Sequence, residues 1–207
     1  PLGMREDYMI FYLFSQTNKK YEEFSKKIFG IYDKNKWYNY LILASVIQKE
    51  AATINEMPII ASVIHNRLKK GMRLQMDGTL NYGKYSNEVV TADRIREDET
   101  SYNTYKFAGL PKDPVCAVSL DAIKAAIFPV KSNYIYFVRD NRNGLHKFAT
   151  TFEEHQANIK ANVGVEKTYT KVKEVETKID EEAETIMKTD VTKQKPTSIK
   201  DLFNNIN

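Results

Sequence analysis

A chain of 207 residues with 42% hydrophobic and 12% aromatic residues can bury a sizeable core, most simply as one domain with appendages. Its formal charge of +4 is uneven: from Val163 onward eight Lys/Arg meet nine Asp/Glu, which leaves +5 on residues 1–162, a mildly basic body that suits an anionic polymer without identifying one. The single cysteine, Cys116, excludes an internal disulfide and a cysteine-based zinc cluster; no run reaches the roughly 18 to 20 apolar residues of a membrane span, and no signal-peptide pattern opens the chain.

Pro1-Leu2-Gly3 matches the scar of a protease site from an expression tag, and the rest of residues 1–38 is a helical lead-in. Tyr21, Phe24, Ile28 and Phe29 follow helical spacing and stop at Gly30, which predicts a helix from about Asn18 to Phe29. The next helix is predicted from about Trp37 to Ala52 and a third from Asn55 to Lys70. Each has one buried stripe; the third has an Asn55 cap, Pro58 in its first turn and a stop at Gly71. Residues 72–83 are too polar and too punctuated by glycine for a helix and read as an extended segment running into a loop. Thr91 caps a short helix, 101–105 and 108–114 are turn-rich, and Asp121 to Ile127 is a helix stopped by Pro129. Residues 133–139 and 145–151 flank the turn-forming 140–144 and give the clearest β-hairpin pattern in the chain. A last core helix is expected from Phe152 to Asn162. Beyond it Val165, Tyr169, Val172, Val175, Ile179, Ala183 and Ile186 keep helical spacing among many charges: either one long amphipathic helix or a charged tail that orders only on a partner. The expected class is α+β, a helical N-terminal part packed on a small antiparallel β region with a loop-built cleft, plus the charged tail.

Few residues offer chemistry. There is no Gly-rich phosphate loop or zinc spacing, and His65, His146 and His155 lie far apart with no i, i+4 pair, so neither a metal nor a cofactor is expected. His146 follows a glycine turn, where it lines a cleft or serves as a hydrogen-bonded structural histidine. Ser45 and Ser62 lack a nucleophile elbow, and Cys116 lacks a cationic neighbour in sequence. Glu50 is different. Leu43, Val46, Ile47 and Glu50 share one side of the second helix, which puts a carboxylate at the C-terminal end of an apolar face. Burial and the partly negative helix end both disfavour its ionised form, and a carboxylic acid held protonated near neutral pH is what general-acid catalysis requires. The alternative is a solvated helix-end glutamate. Gln48, two residues earlier, points elsewhere on the helix, so no carboxylate pair forms there. Most glycosidases need two carboxylates; a glycan cut by Glu50 alone would have to supply its own nucleophile.

Eight blocks carry a resemblance: Leu43-Ala-Ser-Val-Ile-Gln-Lys-Glu-Ala51, Val63-Ile-His-Asn-Arg-Leu68, Gly71-Met-Arg-Leu-Gln-Met-Asp-Gly-Thr79, Tyr82-Gly83, Tyr102-Asn-Thr-Tyr105, Gly109-Leu-Pro111, Tyr134-Ile-Tyr-Phe-Val138 and His146-Lys-Phe148. In order and spacing this resembles the MltG (YceG-like) endolytic murein transglycosylases, over about Leu41 to Ala161. The resemblance implies a catalytic domain at 39–162 that cuts the β-1,4 bond between N-acetylmuramic acid and N-acetylglucosamine in nascent peptidoglycan strands, the muramoyl C6 hydroxyl closing a 1,6-anhydro ring. It places the catalytic acid/base on Glu50, and Asn66, Gln75, Thr79, Tyr82, Tyr102, Asn103 and Thr104, with His146, as candidate substrate contacts. Gln48 replaces the first glutamate of the family's Glu-Lys-Glu motif, His65 stands where an aromatic or aliphatic residue is commoner, and Gly78 where proline is usual. Such proteins usually carry a membrane span and a small LysM-like domain before this region. The resemblance therefore implies the catalytic portion of a protein anchored at the extracytoplasmic (periplasmic) face of the bacterial inner membrane, with cell-wall synthases as candidate partners. Residues 163–207 lie outside it. The competing class is a non-catalytic peptidoglycan-binding or scaffold module. A nucleic-acid partner is not expected, because the basic residues are dispersed and form no stripe.

Overall fold

The computed structural model of the chain describes residues 5–86 and 88–162. Helix α1 (Glu6–Phe29) is longer than its sequence pattern, because only its C-terminal half carries the periodic apolar face: Tyr21 and Phe24 pack on the Trp37 ring at 5.7 and 6.0 Å, while Tyr8 to Phe14 are all exposed. Its stop is the expected one, Gly30 in the left-handed region at φ 75°, its N–H on the Lys26 carbonyl.

Asp33 caps α2 (Lys34–Glu50), its carboxylate accepting from the Asn35 and Lys36 N–H groups at 2.9 and 3.1 Å. One buried stripe was expected of this helix. Instead every residue from Ile42 to Ile47 is buried, because α2 runs through the middle of the molecule with other helices packed around it. The hydroxyl of Ser45, fully buried, donates to the Ile42 carbonyl at 2.7 Å and accepts from the Val115 N–H at 2.9 Å.

The third helix, α3 (Met57–Lys69), keeps Pro58 in its first turn but is not capped by Asn55, which belongs to a preceding 3-10 turn, Ile54–Glu56. A one-turn helix, α4 (Asp77–Leu80), interrupts the segment expected to be extended. Its supports are tertiary: the Gly78 N–H meets the Glu50 carboxylate, and the Lys49 ammonium meets the Asn81 carbonyl just past its end. Local sequence could not reveal either. Helix α5 (Ala92–Glu97) is capped by Thr91 as expected, and α6 (Leu120–Ile127) by Ser119, whose own N–H donates to the Gln48 side chain at 3.2 Å.

Strands β1 (Tyr136–Arg139) and β2 (His146–Ala149) form a two-stranded antiparallel sheet with Tyr136 opposite Ala149 and Arg139 opposite His146. Both are shorter than their sequence pattern. In the turn, Asp140 takes Arg142 and Lys147, which hold its carboxyl well below the usual range, and Gly144 sits at φ 72°. Helix α7 (residues 152–162) opens on a reciprocal cap in which Thr151 accepts from the Glu154 N–H and Glu154 accepts from the Thr151 N–H. The result is a mostly helical α+β fold whose core is α2, α3 and α6 with Leu74, Met76 and Val115. Among the described residues, no helix is long and apolar enough to cross a membrane. The expected charged tail lies outside them.

Candidate active site

A cleft of about 530 Å³ opens where α2 ends, bounded by residues of α3, α4, the hairpin and α7. Glu50, the last residue of α2, lines it. The buried run of α2 ends at Ile47 and Glu50 as a residue is half-buried, but its carboxyl points inward over Gly78, where burial pushes it up to about 7. The Gly78 N–H, donating to Oε1 at 2.9 Å, opposes that rise; the nearby negative charge of Asp77 adds to it; and Lys49 lowers it slightly. Gly78 is confined by this geometry. A Cβ at that position would lie 2.7 Å from Glu50 Oε1 and 2.9 Å from the Lys49 Cβ, closer than side chains tolerate.

Asp77 lines the same cleft, its carboxylate accepting a short hydrogen bond from the Tyr105 hydroxyl. Burial, and then this carboxylate, hold the Tyr105 hydroxyl well above its usual range, so it serves as a donor. Gln75 also lines the cleft, with a backbone φ of 53° that non-glycine residues seldom adopt. Three bonds hold that conformation: its N–H donates to the Thr104 carbonyl at 3.0 Å, and Arg67 Nη1 reaches the Leu74 carbonyl at 2.7 Å and the Gln75 side-chain oxygen at 3.4 Å. Arg67 Nε donates to the Ile135 carbonyl at 2.6 Å, so one guanidinium ties α3 and the 73–75 segment to the entry of the hairpin.

His146, the first residue of β2, also faces the cleft. It is held by Glu56, whose carboxylate accepts the His146 backbone N–H at 2.6 Å, pairs with ring Nδ1 at 3.0 Å and takes the Ala52 N–H at 3.1 Å. Burial pushes the Glu56 carboxyl up, but these bonds and the histidine outweigh it and the net shift is downward. An ionised Glu56 accepts from ring Nδ1, which fixes the orientation of the imidazole. His146 thus fills both roles left open for it, lining and structural.

The remaining candidates fall in different places. Asn66 donates from its amide to the Ser132 and Tyr134 carbonyls, both at 2.9 Å, and anchors the segment leading to β1. Thr79, Asn103 and Thr104 are buried: the two threonine hydroxyls bond each other at 2.9 Å, and the Asn103 amide donates to the Ile95 and Asp98 carbonyls. Their polar atoms shape the loops that carry Gln75 and Asp77. Tyr82 and Tyr102 are a separate pair, ring centroids 4.8 Å apart, with the Tyr102 hydroxyl on Asp113 beside that of Tyr38. Of the residues marked from sequence, the cleft therefore brings together Glu50, Gln75 and His146.

It adds others that sequence left unassigned. Arg67 and Asp77 stood inside motif blocks but gave no separate sign of their role. Tyr136, Phe152 and His155 form a ring cluster, Tyr136 stacked on His155 at 5.1 Å and 18°. No local pattern marks these, because hairpin–α7 packing sets which face of α7 meets the cleft. Among the described residues, no group of three or more His, Cys, Asp or Glu is placed to hold a metal ion.

The model of the YceG-like family matches residues 2–161 of this chain. The chain is similar to the endolytic murein transglycosylase of Bacillus subtilis strain 168, 37% identical over 147 residues, which is 69% of this chain and 39% of that one. It is likewise similar to the endolytic murein transglycosylase of Streptococcus pneumoniae D39, 36% identical over 139 residues, or 64% of this chain and 25% of that one. The chain thus spans about two fifths and a quarter of these relatives' lengths. A crystal structure of a putative yceG-like protein from Listeria monocytogenes superposes with a TM-score of 0.53 at 38% identity, over 58% of this chain and 38% of the other.

Proposed function

Because the chain belongs to the YceG-like family, we propose that it cleaves peptidoglycan glycan strands at the β-1,4 bond between N-acetylmuramic acid and N-acetylglucosamine, with Glu50 as acid and then base, leaving 1,6-anhydro-muramoyl ends. The observation that carries this is one carboxyl in a saccharide-sized cleft with its pKa raised to about 7. At neutral pH a large fraction of molecules then hold the Glu50 proton, ready for the glycosidic oxygen. As the bond from the muramoyl C1 to that oxygen breaks, Glu50 becomes a carboxylate, and the Gly78 N–H is already placed to stabilise it. The same carboxylate then takes the proton of the C6 hydroxyl as that oxygen bonds to C1. No water enters, and Glu50 ends protonated for the next cycle. A substrate of this kind lies outside the cytoplasmic membrane, so the activity belongs on its extracytoplasmic side, where cell-wall synthases make the strands.

One observation favours a second possibility. Asp77 lines the cleft beside Glu50, and two carboxylates flanking a bond are the equipment of a hydrolase. Mass spectrometry of digested, uncrosslinked strands separates the two, because anhydro ends and hydrolytic ends differ by one water. Anhydro ends that vanish in Glu50→Gln and persist at a reduced rate in Asp77→Asn support the transglycosylase. Hydrolytic ends that vanish in both variants would establish the hydrolase in its place. Strands that bind and are never cut would leave only a peptidoglycan-binding module.

A further inference from the structure

The part of the cleft built by β1 and α7 carries positive charge, on buried Arg67 and exposed Arg139, that no carboxylate among the described residues answers. Arg67 is 8% exposed, yet its Nε and Nη1 donate only to neutral oxygens, those of Ile135, Arg73, Leu74 and Gln75. Among the described residues it forms no ion pair, and its second terminal nitrogen, Nη2, has no hydrogen-bond partner there and is open to solvent. Arg139 lines the same cleft, and its guanidinium also lacks an ion-pair or hydrogen-bond partner among the described residues. A guanidinium as buried as Arg67 is ordinarily matched by an anion, from the protein or from what binds there. The wall holding these two cations is otherwise apolar and aromatic: the Arg67 guanidinium lies 5.3 Å from the Tyr136 ring centre, and Tyr136 stacks on His155 beside Phe152. Burial and then the Arg67 charge push the His155 ring pKa down, so His155 stays neutral there.

We propose that this part of the cleft binds a carboxylate of the peptide stems carried by the muramoyl units, so that the strand is held through its peptide as well as its sugars. This deepens the peptidoglycan reading above and rests on it. The N-acetylated sugars are neutral, and the muramoyl lactyl group is tied up as an amide, so the strand's negative charge lies in its stems. A planar carboxylate fits the fork of the Arg139 guanidinium through paired hydrogen bonds, Arg67 adds its charge and the one free nitrogen, Nη2, and the rings offer surface to the apolar parts of the stem. The strand is thereby recognised in its peptide-bearing form, and a strand stripped of stems is a poorer ligand.

Calorimetric titration of the 207-residue chain carrying Glu50→Gln tests this with three uncrosslinked strands of equal length. One keeps its stems, one has been freed of them by an amidase and had the lactyl carboxylates so exposed capped again as methyl amides, and one has its stem carboxylates methyl-esterified. The stem-bearing strand should bind roughly tenfold or more tightly than either of the others, an advantage that shrinks with added salt. Adding Arg139→Glu should abolish the advantage. Equal binding of the three strands, or an advantage that survives both esterification and Arg139→Glu, would overturn the proposal. Digestion by the unaltered chain keeps the two readings apart. Stem-free strands that are both cut and bound as well as stem-bearing ones would remove the subsite and leave the cleavage standing. Stem-dependent binding with no product from any strand would remove the cleavage and leave the subsite.

Discussion

Replacing Glu50 with Gln should abolish cleavage and, above neutral pH, stabilise the protein. In the unfolded chain the carboxyl titrates near 4.5; in the folded protein burial moves it to about 7. Between those values the folded state holds a proton that the unfolded state has already released, so stability declines as pH rises through the window. Below it both states are protonated and nothing is lost. Above it the fold carries an ionised group in surroundings that disfavour the charge. The gap of about 2.5 pH units, at about 1.4 kcal/mol each, makes the full penalty about 3 to 4 kcal/mol. Gln occupies the same space and keeps an oxygen for the Gly78 N–H, so the substitution removes the penalty with little other loss. Urea unfolding of both proteins at intervals from pH 4.5 to 8.5 measures it. The two profiles should meet near pH 4.5 and separate by about 3 to 4 kcal/mol at pH 8.5, with Glu50→Gln the more stable, or roughly 6–16 °C in Tm for a chain of this size. Parallel profiles across the window would mean that Glu50 is ordinarily hydrated, and the general-acid argument would lose its basis.

Gly78→Ala should lower both activity and stability, because the new methyl meets Glu50 Oε1 and the Lys49 Cβ at under 3 Å; a stability loss of about 1–3 kcal/mol is expected by denaturant unfolding. Arg67→Lys keeps the charge but cannot span the Ile135, Arg73 and Leu74 carbonyls, so about 2–4 kcal/mol should disappear from the same measurement. Asp33→Ala removes two capping bonds from α2 and should cost about 1 kcal/mol in thermal unfolding without altering the pH dependence of cleavage.

Periodic apolar residues and their stops made most of the helices legible. Gly30, Thr91 and the 140–144 turn mark boundaries with residues whose backbone preferences are local, and the structure keeps each of them. What sequence could not show depends on distant partners. α4 exists because Glu50 and Lys49, 28 and 32 residues away, bond its two ends. Asn55 looks like a cap, but the chain there is tied instead by the Glu56 carboxylate to Ala52 and to His146, 90 residues on. The candidate site was legible where chemistry is rare: a single carboxylate ending an apolar face stands out from sequence alone. Polar residues in loops do not reveal whether they face a cleft or shape the loop from beneath. Asn103 and Thr79 read like Gln75 until the folded chain shows their polar atoms spent on other loop atoms.

Glu50 is also the place where folding and chemistry pull against each other. The apolar packing that makes α2 the centre of the core reaches Ile47, one turn short of its end, so the packing that holds the helix also brings the Glu50 carboxyl into poorly hydrated surroundings. Burial alone would favour the neutral acid and hinder its return as a base. Two adjacent residues of α4 adjust that balance in opposite directions. Asp77 supplies a negative charge that favours the protonated form, and Gly78 supplies an N–H that favours the ionised one. Only glycine leaves room for the second while the first stays in the cleft, because any Cβ at position 78 would collide with the carboxylate it serves. The Tyr105 hydroxyl keeps Asp77 in place. In the proposed cycle Glu50 both gives and recovers a proton, which needs its two states close in free energy, and this one-turn helix, too short to be read from sequence, is positioned to keep them so.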